Sequence, residues 1–179
     1  MKYVYEFTNK RKLTKSEFIK WFQKKFLYTI RRFNMIKKGD IIGFSKKSDF
    51  RNVVLKDLLK MLSMRMPVEI IKLPNKKITK KAVAETNDII SYKLIKEIIN
   101  KKIKSSKEFY QFYPVDGKKI KPLYFFLDKE VELYAKLKNL KYKKIKEKKD
   151  KIIEFINELE KKHPELKHSI IQAYLRTQI

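Results

Sequence analysis

The 179-residue chain carries 46 Lys plus Arg against 20 Asp plus Glu, two histidines and no cysteine. Without cysteine there are no disulfides, thiolate metal sites, protein-ligated iron–sulfur clusters or cysteine nucleophiles, and two histidines alone do not build a zinc site. A net charge of +26 makes a compact domain repel itself. Ion-pair enrichment would raise Glu together with Lys, so the imbalance points to a polyanionic partner, and to nucleic acid above all.

Forty-three per cent hydrophobic residues, including twelve Phe and ten Tyr, supply the core of one domain with small appendages. No apolar run reaches bilayer length. The opening MKYVYEFTNKRKL alternates apolar and polar residues and has no signal-peptide core. No helix pairs a basic face with a strongly lipophilic one, so a membrane is not an expected partner. A cytoplasmic protein is expected.

Taken in order, Tyr3, Tyr5 and Phe7 alternate as in a strand, followed by a turn at Asn9. Thr14 and Glu17 have capping-box spacing and open a helix to about Phe33, with Phe18, Phe22, Phe26 and Ile30 on its buried stripe. Its other side and the residues after it carry Lys20, Lys24, Lys25, Arg31, Arg32, Lys37 and Lys38. Singly these are solubilising charges; as a group they form a phosphate-tracking surface. Ile41, Ile42 and Phe44 predict a buried strand, Ser45 to Asp49 a polar loop, and the residues to Leu59 an amphipathic helix.

A second strand is expected over Pro67–Ile71, a short one over Ala82–Ala84, and a helix opening at Thr86, Asn87 or Asp88. Phe109–Val115 and Lys118–Phe126 flank Asp116-Gly117 as a hairpin. Asp128 caps a helix to about Asn139, and Leu140–Ile145 reads as a last strand. Residues 136–151 hold nine lysines, with Lys138, Lys141, Lys143 and Lys144 as further phosphate contacts. Two helices follow, broken before Pro164. The strand–helix alternation predicts an α/β fold, divided as residues 1–38, a core over 39–145 and a helical C-terminal extension over 146–179.

The loop Ser45, Lys46, Lys47, Ser48 and Asp49 stands where a strand meets a helix N-terminus, a favoured phosphate position. A phosphate cradle uses glycine for close backbone approach and for φ > 0. Lysines at 46 and 47 impair that nest, and Phe50 adds bulk at its mouth. The loop reads as an ordinary connection, with Ser48 or Asp49 as helix N-cap. His163 and His168 have no catalytic spacing. Tyr3, Tyr5, Tyr110 and Tyr113 are either base-stacking or half-buried packing residues.

The order KFLYTIRRFNMIKKGD, IIGF, SKKSDF, IKPLYFFLDKEVELYAKLKNL and FINELEKKHPELKHSII resembles the PP-loop (adenine nucleotide α-hydrolase-like) proteins that thiolate tRNA, of the TtuA/TtcA and archaeal and eukaryotic wobble-uridine thiolase type. Ser45 and Asp49 match the S-G-G-K-D-S loop. Lys46 and Lys47 stand at its glycines, Ser48 at its lysine and Phe50 at its last serine. Lys121-Pro122-Leu123 matches the K-P-L motif, Glu130 and Tyr134-Ala135 the helix after it, and His163-Pro164 the closing segment. Asn87-Asp88 falls near a second active-site stretch.

The resemblance implies a reduced Rossmann-like (HUP/PP-loop) parallel sheet with flanking helices. It also implies tRNA or another structured RNA as partner, with an active thiolase or a sulfur carrier beside it. Family members adenylate a base and deliver sulfur through cysteines, often with an iron–sulfur cluster. With no cysteine and an altered loop, the expectation is a non-catalytic tRNA-binding protein without catalytic or metal-ligating residues. ATP and magnesium enter only if the loop still works, which would make the chain a tRNA-modifying enzyme supplied with sulfur by a partner. A generic basic nucleic-acid binder is the remaining alternative.

Overall fold

A computed structural model describes residues 2–100, 110–145 and 150–177. The chain opens with β1 (Tyr3–Glu6) and β2 (Lys12–Thr14), an antiparallel ribbon turning through Lys10 at φ 67°. The sequence shows β1 but not β2, because Leu13 is the one buried side chain of three and no alternation is long enough to read. Helix α1 (Lys15–Arg32) begins where the capping box places it: Glu17 Oε2 accepts from the Thr14 amide at 2.8 Å and its hydroxyl at 2.7 Å.

The central sheet contains β3 (Ile41–Phe44), β4 (Glu69–Lys72), β5 (Lys80–Ala82), β6 (Val115–Asp116) and β7 (Lys119–Ile120), in the order β4-β3-β5-β7-β6. All its pairings are parallel except that of the edge strand β6 with β7. Helices α2 (Phe50–Ser63), α3 (Asn87–Ile99) and α4 (Asp128–Leu137) follow strands or their connections, and α5 (Lys151–Lys162) and α6 (Leu166–Arg176) complete the described chain. The α/β class and mostly parallel sheet are those expected. β3 is an interior strand and largely buried, and Gly43 belongs there by packing: a Cβ would lie 2.7 Å from Leu73 and 2.8 Å from Ile78.

One hydrophobic core joins the buried stripe of α1 to the sheet, α2 and α4. At its centre the Phe22 ring lies 4.3 Å from Tyr134 and 4.4 Å from Phe126, centroid to centroid. A second cluster packs α3 against α6, with Phe112, Tyr124 and Phe125 between them.

Three expected strands change. The long hairpin contracts to β6 and β7, two residues each around Gly117 at φ 55°, and its start at Phe109 lies outside the described residues. Leu123–Phe126 is buried but runs through turns, with the Phe126 amide bonded to Leu123 O at 3.0 Å; a short apolar run does not distinguish a strand from a buried turn. Leu140–Ile145 reduces to a single bridge between Lys143 and Asp49. The strand expected at Ala82–Ala84 is β5, two residues earlier.

Lys121, the first residue of those turns, is buried and donates to Gln111 O and Tyr113 O, both at 2.6 Å. Burial pushes its ammonium pKa down to about 8, with Glu85 pulling the other way. Between that value and the ordinary lysine range near ~10.4, the unfolded chain binds the extra proton, so stability rises with pH. Unfolding in urea at pH 7.5 and 10 is expected to show a rise of about 2–3 kcal/mol in the parent relative to Lys121→Met. An identical pH dependence in both would refute it.

Candidate nucleic-acid interface

Ser45–Asp49 leaves the C-terminal end of β3, where the chain's next strand pairs on one side and the one after it on the other. In open α/β sheets ligands bind at such a switch point. The loop there is plain. None of its five residues has a positive φ, so no run of amides turns inward to form a nest. Asp49 is the N-cap of α2: its Oδ1 accepts from the amides of Arg51 at 3.1 Å and Asn52 at 3.2 Å. An internal carboxylate therefore sits where an external anion would use these donors.

The surroundings are equally committed. The Phe50 ring packs edge-on against Tyr142, 6.1 Å away, and lies 4.7 Å below the Arg51 guanidinium. Arg51 grips Asp128 with two hydrogen bonds, Nε to Oδ1 at 2.7 Å and Nη2 to Oδ2. Asp128 also accepts from the Thr86 hydroxyl at 2.7 Å, and its own amide donates to Asp88 at 2.7 Å. Asp88 in turn holds the buried Lys167, which also meets Glu160 at 2.6 Å. The stretch at Asn87-Asp88 is thus tied into a polar network across α2, α3, α4 and α6. Nothing in the spacing of Arg51, Asp128 and Lys167 announces it.

Among the cations, Lys24, Arg31, Arg32, Lys37, Lys38, Lys138, Lys141, Lys143 and Lys144 are exposed, as are Lys46 and Lys47. Lys25 leaves the set. Its ammonium bonds Glu130 Oε2 at 2.8 Å and lies 4.8 Å from the ring centroids of both Trp21 and Phe126. An ammonium so enclosed is a packing element.

The structure also regroups the others. The Lys143 amide donates to Ser48 O at 2.7 Å, which brings Lys143 and Lys144 beside the loop lysines. Lys37 and Lys38 precede β3 and so lie toward its opposite end, about 13 Å away along a four-residue strand.

Two concavities lie elsewhere. One, about 220 Å³, is bounded by Tyr5, Lys25, Asn87, Phe125, Glu130 and His168; the other, about 440 Å³, by Gln23, Asp57, Lys60, Met64 and Lys138. Neither touches Ser45–Asp49. Among the described residues no three of His, Cys, Asp and Glu gather as a metal site, and no helix is long and apolar enough to cross a membrane.

No protein-family profile matches the sequence, and no curated protein matches it. A solved structure does: the U34-tRNA thiolase NcsA from Methanococcus maripaludis with its [4Fe-4S] cluster. It superposes with a TM-score of 0.81 over 98% of this chain and 84% of the thiolase, at 17% sequence identity. The chain has the fold of a U34-tRNA thiolase. The PP-loop resemblance and the Rossmann-like class thus agree with the architecture.

The thiolase's cluster has no counterpart among this chain's ligands. With no cysteine, and with His163 at the C-terminus of α5 and His168 on α6, the donor set does not fit an iron–sulfur cluster. The first amides of α2 behind the loop are capped from within by Asp49, and the loop itself contains no glycine.

Proposed function

We propose that the chain is a non-catalytic RNA-binding protein on the thiolase fold, a pseudoenzyme that holds tRNA or another structured RNA without adenylating it. It works in the cytoplasm beside an active thiolase or a sulfur carrier. The observation that carries this reading is the loop Ser45–Asp49: it leaves the C-terminal end of β3, where the family resemblance implies a nucleotide cradle, yet has no left-handed residue and spends the first helix amides of α2 on Asp49. The exposed lysines beside it, and a chain charge of +26, support an anionic polymer as ligand.

The test pairs two assays on the intact protein. ATP with magnesium at millimolar concentration is expected to leave the unfolding temperature unchanged, and tRNA is expected to elicit no pyrophosphate from ATP. tRNA itself is expected to bind, and to be displaced poorly by duplex DNA of equal charge. Pyrophosphate release that depends on tRNA would replace this reading with an ATP-dependent modifying enzyme. Equal competition by duplex DNA would reduce it to generic polyanion binding. No binding of tRNA would remove it.

A further inference from the structure

We propose that Tyr110, Tyr113, Phe33, Arg32 and Tyr28 form a stacking platform for unpaired RNA bases, separate from the loop at β3. The proposal rests on the RNA-binding reading above and names the part of the RNA engaged.

The Tyr110 and Tyr113 rings stack, 5.0 Å apart and inclined by 19°. Phe33 meets Tyr113 edge-on at 5.8 Å, which fixes the lower ring of that stack. Arg32 lies over Phe33 at 5.5 Å and Phe125 at 5.3 Å, and its Nη1 donates to the Tyr28 hydroxyl at 3.1 Å. Tyr28 and Arg32 are one helical turn apart on α1, so the row continues from loop to helix. Buried aromatic clusters close over their rings. This one leaves Tyr28 50% and Tyr110 43% exposed, with the Arg32 side chain also at the surface.

Charge decides what such a surface takes. From Phe18 to Gly39 there is no acidic residue, while Lys24 and Arg31 lie on α1 within a turn of Tyr28. A supported aromatic face with no acidic residue between Phe18 and Gly39 and cations at its margin suits a base on a phosphate backbone. Stacking of this kind tolerates any base, because every base has a π-face. Duplexes keep their bases stacked on each other, so the platform takes unpaired nucleotides such as those of loops and ends.

The test compares an unstructured 12-nucleotide RNA with its 12-base-pair duplex, binding each to the parent, Tyr110→Ala, Tyr110→Phe and Arg31→Ala by fluorescence anisotropy at one salt concentration. Tyr110→Ala is expected to weaken single-strand binding by about five- to one-hundred-fold, with duplex binding unchanged within about twofold. Tyr110→Phe keeps the ring and the affinity. Arg31→Ala weakens both ligands alike. A 5-iodouridine strand is expected to photocrosslink to the peptide containing Tyr110. If the parent binds the single strand and Tyr110→Ala binds it equally, with no crosslink at Tyr110, the platform is wrong while the RNA reading stands. If the parent binds neither RNA, the RNA reading falls first.

Discussion

Raising potassium chloride from 50 to 200 mM is expected to weaken tRNA binding by about a thousandfold or more, the loss that counterion release imposes when about six phosphates are neutralised. On the proposed function, most of that slope originates in four lysines around the loop. Lys46 and Lys47 follow β3, and Lys143 and Lys144 are drawn to them by the hydrogen bond from the Lys143 amide to Ser48 O. Replacing these four by alanine is expected to lower the slope of log affinity against log salt by about three to four, close to one for each phosphate no longer neutralised.

The α1 pair Lys24 and Arg31, changed to alanine, is expected to remove about two. Lys25→Ala is expected to change the slope by less than either, because its ammonium already faces Glu130. Titration of labelled tRNA at five salt concentrations measures all of these. An unchanged slope in the fourfold variant would place the RNA on another face.

Alanine at Glu130 is expected to cost about 3 kcal/mol of stability, the typical penalty for leaving buried partners of a charge unpaired. Glu130 is buried, and both oxygens are in use. Oε1 accepts from the Tyr5 hydroxyl at 2.9 Å, and Oε2 from Lys25 Nζ at 2.8 Å and the Leu127 amide at 3.0 Å. One side chain therefore joins the N-terminal ribbon, α1 and the first turn of α4. Burial, with the Glu130 charge beside it, also raises the Tyr5 phenol above its ordinary pKa.

Because Lys25 sits among rings, Lys25→Met in the Glu130→Ala background is expected to recover part of the loss, with a coupling of at least ~1 kcal/mol. Urea unfolding of the two single variants and the double variant gives the coupling. A loss below about 1 kcal/mol for Glu130→Ala would mean that water or a rearranged ribbon satisfies the three donors.

Both outcomes bear on how much the sequence disclosed. Elements with their own signal were legible: the Thr14–Glu17 box, the phenylalanine stripe of α1, the β3–loop–α2 unit and the break at Pro164. Asp49 was also legible as an N-cap candidate, because a short acceptor side chain stands immediately before the apolar run of α2. What depended on distant parts of the chain was not legible. Lys25 lies on the cationic side of α1 by periodicity, and its withdrawal from solvent is decided by Glu130, more than one hundred residues later. Arg51 and Lys167 carry no signal of their own in the sequence, since Asp128 and Asp88 come beside them only in the fold. Leu123–Phe126 failed for another reason: continuous apolar burial carries no period to separate a strand from packed turns.

The link between Lys143 and Ser48 has a consequence for how this surface can change. It is made by an amide and a carbonyl, so of the side-chain substitutions at either position only proline at 143 takes away a partner. Nearby, Tyr142 packs against Phe50 and bonds Glu132 at 2.9 Å, steadying the same segment from the far side. The four lysines are therefore an interchangeable coating on a frame held by main chain and aromatic packing. Drift or design can repaint that coating, reversing its sign with glutamates or thinning it with serines, while the geometry beneath stays the same.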